Sequence, residues 1–208
     1  MNAPGSFYRH KLYPLQDEVL THINAINSPF YLTGGTALSR FYLHHRYSDD
    51  LDFFMNHDPG FVREAERFRM TLESRYESNV QTTYNSDSFY RMMIHSEGVS
   101  LKIDLVNDVG YHKGSFIKHP LYYKIDNELN ILSNKVSALT REAPKDIADI
   151  IYLCRRCPFN WMDIIDDAKL KDASVNEVDV ATKIDAFNVG RLDEVNWIDR
   201  PERLFLQQ

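Results

Sequence analysis

The sequence predicts an α+β protein, with a small mixed β-sheet flanked by helices and followed by a short helical C-terminal lobe. Three observations point there. The 208 residues are 43% apolar and 26% charged, the composition of a globular domain with enough material for a sizeable core. Hydrophobic spacing alternates between helical and strand-like over the first half, then from about Leu129 it stays helical. Neither an internal repeat nor a low-complexity stretch interrupts that order. The expected division is a core over residues 1–125 and a helical lobe over residues 126–208, with a soft boundary between Asn107 and Asp126.

Each element has its own warrant. Pro14–Ile26 is expected to be helical because Leu15, Val19, His22, Ile23 and Ile26 recur three or four residues apart on one face. Phe30–Leu32 is a short strand that runs into Thr33-Gly34-Gly35-Thr36, and Ala37–Leu43 follows as a short helix. Leu51–Met55 is a strand. Pro59–Tyr76 is a second good helix, since Phe61, Ala65, Phe68, Leu72 and Tyr76 align while Arg63, Glu64, Arg67 and Glu73 fall elsewhere. Val80–Tyr84, Phe89–Ile94 and Val99–Val106 read as strands separated by Asn85-Ser86-Asp87 and Glu97-Gly98 turns.

Composition excludes several classes of function. No run of 18 apolar residues occurs, and Met1–Tyr8 has neither a basic start nor an apolar stretch, so a membrane-spanning or secreted protein is not expected. Two cysteines, Cys154 and Cys157, cannot supply a disulfide framework, and a cytoplasmic setting fits them. Their C-x-x-C spacing lacks further ligands for zinc, so two thiols packed at a helix end is the reading taken. The net charge of −6 comes mostly from residues 160–208, with 11 acidic and 6 basic residues, which leaves 19 acidic against 18 basic before them. Global charge therefore gives no support for nonspecific polyanion binding, although a local basic cleft is compatible with it.

The densest chemical signal is Thr33–Leu38 together with Ser48-Asp49-Asp50-Leu51-Asp52-Phe53. Two glycines between a strand and a helix let backbone approach a ligand, and amides at a helix start favour an anion such as phosphate. A plain turn would look the same. Asp50 and Asp52 strengthen the functional reading, because strand alternation puts both carboxylates on one face and a cation would relieve their repulsion. Magnesium suits such a pair, being commonly held by one or two carboxylates plus substrate phosphates. In Leu101–Val106, Lys102 and Asp104 share a face opposite Leu101, Ile103 and Leu105. If that strand lies beside Asp50 and Asp52, Asp104 adds a third carboxylate and a two-metal site becomes possible; otherwise Asp104 is a surface partner of Lys102.

These segments resemble the nucleotidyltransferase superfamily, and specifically its abortive-infection toxins of the AbiEii/AbiGii type. The likeness rests on Gly34–Leu38, on His45–Phe54, on Lys102-Ile103-Asp104, and on Lys135–Leu139 with Arg141 and Pro144–Ile150, so it spans roughly Tyr31–Leu153. It implies a magnesium-dependent enzyme that transfers a nucleoside monophosphate from a nucleoside triphosphate to an acceptor hydroxyl. Gly34, Gly35, Thr36 and Ser48 would bind the nucleotide, Asp50, Asp52 and Asp104 the metal, Lys135 would face the triphosphate, and Asp146 would sit near the attacking group. It further implies RNA, at the 3′ end of tRNA, as acceptor and a cognate antitoxin as partner. In many relatives the glycine motif is Gly-Ser; here Thr36 is the nearest hydroxyl. The last 49 residues match no motif of the family.

Other residues admit simpler readings. Lys135 falls at the edge of an apolar stripe with Leu132 and Leu139, so a lysine that merely snorkels would look alike. In the next helix Ile147, Ile150, Ile151 and Cys154 form the stripe, Asp146 and Asp149 share one edge, and Lys145 with Asp149 is an ordinary i,i+4 pair. Arg40 and Arg46 are phosphate contacts or charge balance. Adjacent His44 and His45 point apart and make poor joint ligands. Arg63, Arg67 and Arg69, interleaved with glutamates, are a solvated face. Trp161 and Trp197 are core or partner contacts. The rival functions are adenylation of a small hydroxylated molecule such as an aminoglycoside, and a nucleotide-binding regulatory module without turnover.

Overall fold

The computed structural model describes residues 4–202. It forms two compact units. The first takes the described residues up to Thr36, with Asp49–Gly110 and Phe116–Asp126; the second takes Ala37–Ser48, Tyr111–Ser115 and the described residues from Asn127 onward.

The first unit is built on a five-stranded mixed sheet: β1 (Tyr31–Thr33), β2 (Leu51–Asn56), β3 (Val80–Asn85), β4 (Phe89–Ser96) and β5 (Val99–Asp108), in the order β1-β2-β5-β4-β3. The β2–β5 pair is parallel and the others antiparallel. Alternation decides what each face carries. Leu51, Phe53 and Met55 of β2, Leu101, Ile103 and Leu105 of β5, and Tyr90, Met92 and Ile94 of β4 are all buried. Within the same core Phe53 meets Phe68 of α4 (Phe61–Tyr76) at 5.0 Å and Tyr122 at 5.4 Å. Burying a side chain such as Phe68 stabilises the fold by about 1.5–3 kcal/mol.

All five residues of the expected α4 stripe, Phe61, Ala65, Phe68, Leu72 and Tyr76, are buried. On its solvated side Arg63 and Arg67 pair with Glu64, and Arg69 with Glu66 and Glu73. The N-terminal helix starts earlier than the spacing indicates. It comprises α1 (Pro4–Phe7), a π-helical stretch Tyr8–Leu12, and α2 (Tyr13–Ala25). The wider π turn displaces the side chains from a 3.6-residue repeat, which hides this segment from a periodicity argument.

The glycine motif is not a loop before a helix but the first turn of one. Helix α3 is Gly34–Leu38, and a π-helical stretch Ser39–Leu43 continues it to His44, whose left-handed backbone (φ 49°) ends it. The second unit adds α5 (Glu128–Ser137), α6 (Pro144–Arg156), α7 (Trp161–Lys171) and α8 (Glu177–Asp185). Asn127, Asn160 and Asn176 each cap the helix that follows by accepting a hydrogen bond from a first-turn amide. The buried stripe of α6 is Ile147, Ile150 and Leu153; Cys154 is exposed and Cys157 half-buried, which corrects the expectation of two packed thiols. Trp197 packs on Tyr152 at 5.9 Å, and its indole N–H donates to the Leu192 carbonyl. Trp161 is more exposed and lies edge-on to Phe159. Among the described residues no helix is long and apolar enough to cross a membrane.

Candidate active site

Strand register assembles a charged row across the sheet face opposite the aliphatic core. Thr33 of β1 stands beside Asp52 of β2, Asp52 beside Asp104 of β5, and Asp104 beside Arg91 of β4. Asp50, one residue before β2, reaches Lys102 of β5. Arg91 binds Asp104 as a fork, Nε to Oδ1 and Nη2 to Oδ2, both at 2.8 Å. The Lys102 ammonium is 2.8 Å from Asp50 Oδ2 and 3.6 Å from Asp104 Oδ2. Burial works against the Lys102 charge, but the hydrogen bond to Asp50 and the surrounding carboxylates outweigh it and hold its pKa above the ordinary value.

Gly34 closes one side of this row. Its backbone lies so near Asp52 that a Cβ would stand 2.5 Å from Asp52 Oδ2, and its φ of +72° belongs to the region glycine alone enters freely. Any side chain here would displace the carboxylate. Gly35 is half-buried beside it. Thr36 is buried, and its hydroxyl donates to the Asp50 carbonyl, tying the start of β2 to the glycine turn. The neighbouring Asp49 has a structural part: its Oδ1 accepts from the Tyr8 hydroxyl at 2.7 Å, and its carbonyl accepts from Gln16 at 3.1 Å.

The donor chemistry of Asp50 and Asp52 fits a hard divalent cation, and Gly34 leaves the backbone side of Asp52 free of any Cβ. Yet among the described residues no three His, Cys, Asp or Glu side chains form a group that could hold a metal ion. Asp104 shares the face with them, and Arg91 engages both of its oxygens.

The second unit carries its own charge cluster around α5 and α6. The Lys135 ammonium sits 2.5 Å from Asp146 Oδ1 and 2.8 Å from Asp149 Oδ2. Asp149 also accepts from Arg46, Nε to Oδ1 and Nη2 to Oδ2, each at 2.7 Å, and its Oδ1 is 2.8 Å from His45 Nε2. Burial opposes ionisation of Asp149, but Arg46 and Lys135 overcome it and hold this carboxyl well below the usual range. Burial likewise opposes the Lys135 charge, and Asp149 and Asp146 reverse the sign, so its pKa rises. Burial lowers the pKa of His45, whose ring is 4.6 Å from that of Tyr152. An ionised Asp149 needs a donor, so the neutral His45 carries its proton on Nε2.

Asp149 is therefore not the Lys145 helix partner that local spacing suggests, and Arg46 is committed to a carboxylate. Ser48 is buried in the 37–48 segment of the same unit. Arg91 was missed altogether. Its only signal in sequence was its place on a strand face shared with Phe89 and Met93, and that becomes informative only with the β4–β5 register.

The profile of the family described as nucleotidyl transferase AbiEii toxin, type IV TA system, matches residues 18–206. The match includes nearly all of the C-terminal 49 residues that carried no motif. Among solved structures, a putative nucleotidyltransferase from H. pylori is 18% identical with a TM-score of 0.54, covering 92% of this chain and 80% of its own. JHP933 from Helicobacter pylori gives 18% identity and a TM-score of 0.53, over 92% of this chain and 77% of its own. At these identities the likeness concerns the fold. No curated protein matches the chain significantly.

Proposed function

Because the chain belongs to the AbiEii nucleotidyltransferase toxin family, we propose that it moves a nucleoside monophosphate from a nucleoside triphosphate to an acceptor hydroxyl, with magnesium, and that the acceptor is RNA at the 3′ end of tRNA. The observation that supports this reading most is the approach of Gly34 to Asp52, in line with Asp104 and one step from Asp50. A glycine forced by a carboxylate serves no packing purpose that alanine would not serve elsewhere; it keeps the backbone low beside a charged group.

The residues divide the work. Asp50 and Asp52 would hold magnesium, which would withdraw charge from the transferring phosphate and favour the ionised acceptor. Gly34, Gly35 and the Thr36 backbone would let a triphosphate approach those carboxylates closely. Asp104 orients or deprotonates the acceptor hydroxyl, whose oxygen bonds to the α-phosphorus as its proton passes to Asp104 or to water and the bond to pyrophosphate breaks. Lys135, Asp146 and Ser48 are carried over by family likeness alone, and the ion pair of Lys135 with Asp146 would have to open for either to meet a nucleotide. A toxin of this family acts opposite an antitoxin, and we assign such a partner to this chain.

The test is sequencing of RNA 3′ ends after expression in bacteria, beside growth on a panel of aminoglycosides. Growth arrest with untemplated nucleotides on tRNA 3′ ends, both absent for Asp50→Asn/Asp52→Asn, supports the proposal. Drug resistance with unaltered RNA ends would transfer the activity to a small-molecule acceptor.

A further inference from the structure

The charged face of the sheet contains its own cations. Lys102 and Arg91 reach it from β5 and β4, and between them they contact Asp50 and Asp104. The Lys102–Asp50 pair is partly exposed, with 30% and 28% of the two side chains open, and Lys102 sits on a long flexible stem. An exposed pair of this kind contributes little net energy, so it can be exchanged. The Arg91 fork is different, because the Asp104 side chain is only 9% exposed and both of its oxygens are engaged.

We propose that Lys102 is a placeholder cation. It neutralises Asp50 while the face holds no divalent ion, gives way when one binds, and then serves as a ligand for the phosphate oxygens of the incoming nucleotide. The inference rests on the reading of Asp50 and Asp52 as the metal pair. Its physical content is a coupling. A divalent cation arriving alone must take Asp50 from Lys102 and leaves the ammonium only its longer, 3.6 Å contact with Asp104, an oxygen that Arg91 already engages. A cation arriving with a triphosphate supplies that anion, so the exchange becomes favourable. Metal alone therefore binds weakly, and nucleotide and metal strengthen each other reciprocally. The competing view is that the Lys102–Asp50 pair is a permanent brace between strands, unaffected by ligands.

The two views separate in a binding measurement that involves no turnover. Free Mn²⁺ is titrated by electron paramagnetic resonance against the full chain, with and without an ATP analogue whose α,β-bridge is a methylene. The proteins are wild type, Lys102→Met, Lys102→Gln and Lys102→Arg, each first checked for cooperative thermal unfolding. Removing the placeholder should tighten Mn²⁺ alone by about two- to fivefold, the scale of one partly exposed ion pair. The same substitution should shrink the gain in Mn²⁺ affinity that the analogue brings, whereas Lys102→Arg keeps the wild-type pattern. Lys102→Gln should shift both quantities in the same directions and replaces Lys102→Met if the latter does not fold.

Unchanged or weaker Mn²⁺ binding in Lys102→Met and Lys102→Gln, or an undiminished effect of the analogue, overturns the proposal. Asp50→Asn/Asp52→Asn tells the two levels apart. If it binds Mn²⁺ as wild type does, the metal pair itself is misassigned and the placeholder role falls with it. If it loses Mn²⁺ while the Lys102 variants behave as wild type, the placeholder role alone is wrong.

Discussion

On the open face of the sheet Lys102 meets Asp50 with 30% and 28% of their side chains exposed, whereas in the second unit Lys135 meets Asp149 with 10% and 0% exposed. The same pairing of ammonium and carboxylate is thus made in two dielectric settings. In the buried cluster Arg46 and Lys135 balance Asp146 and Asp149, His45 is neutral, and each charge depends on its partners because water cannot replace them. On the sheet face Asp104 is buried under the Arg91 fork, but the Lys102–Asp50 pair is open enough for water to stand in for either partner. Burial thus marks the first cluster as fixed and the Lys102–Asp50 pair as exchangeable, which is the property a ligand site requires.

Substitutions should reproduce that difference. The largest stability effect belongs to Asp149→Ala, which takes from Arg46 its forked carboxylate and leaves Lys135 only Asp146; we expect a loss of about 3–5 kcal/mol in chemical denaturation. A loss below 1 kcal/mol would show that the cluster is not a fixed brace. Asp52→Asn should behave oppositely, leaving denaturation within about 1 kcal/mol of wild type while transfer falls by at least about 10²-fold, the scale for removing one charge-stabilising group. Gly34→Ala comes next. Its Cβ collides with Asp52 and its backbone is strained, so stability should fall by about 1–2 kcal/mol, with a weaker Mn²⁺ site as the separate signature.

The smallest effect is a pH dependence. His45 has a folded-state pKa below its ordinary 6.5, so the unfolded chain takes up a proton more readily than the folded one. Stability from its burial is complete above 6.5 and is lost as pH falls from there toward the folded pKa. The melting temperature should therefore drop on acidification below about 6.5. The slope should flatten in His45→Gln, since Asp149, Arg46 and Lys135 keep their charges over that interval. An identical slope in both proteins would place the titrating group elsewhere.

Local pattern made some parts of this molecule legible and left others hidden. The α4 stripe could be read directly, because five apolar side chains at helical spacing have one arrangement that buries them together. The shared face of Asp50 and Asp52 followed from alternation, and the place of Asp104 beside them needed only that β5 pair with β2. Arg91 could not be found this way, since its meeting with Asp104 depends on the register of two antiparallel strands. Asp149 misled for a related reason: a lysine four residues before it is visible in sequence, while Arg46, 103 residues away, is not. At the N terminus the π-helical Tyr8–Leu12 broke the repeat on which the argument relied, and Cys154 turned outward where an idealised wheel put it inward.

The central claim is nucleotidyl transfer organised by Asp50 and Asp52, and the most direct measurement is single-turnover transfer from each α-labelled nucleoside triphosphate to total bacterial RNA in the presence of magnesium. Wild type and Asp52→Asn would be compared at equal concentrations of folded protein. The account predicts label in a discrete RNA species, from one preferred nucleotide, with wild type only. Equal labelling by Asp52→Asn, or no labelling by wild-type protein that demonstrably binds nucleotide and magnesium, would contradict it.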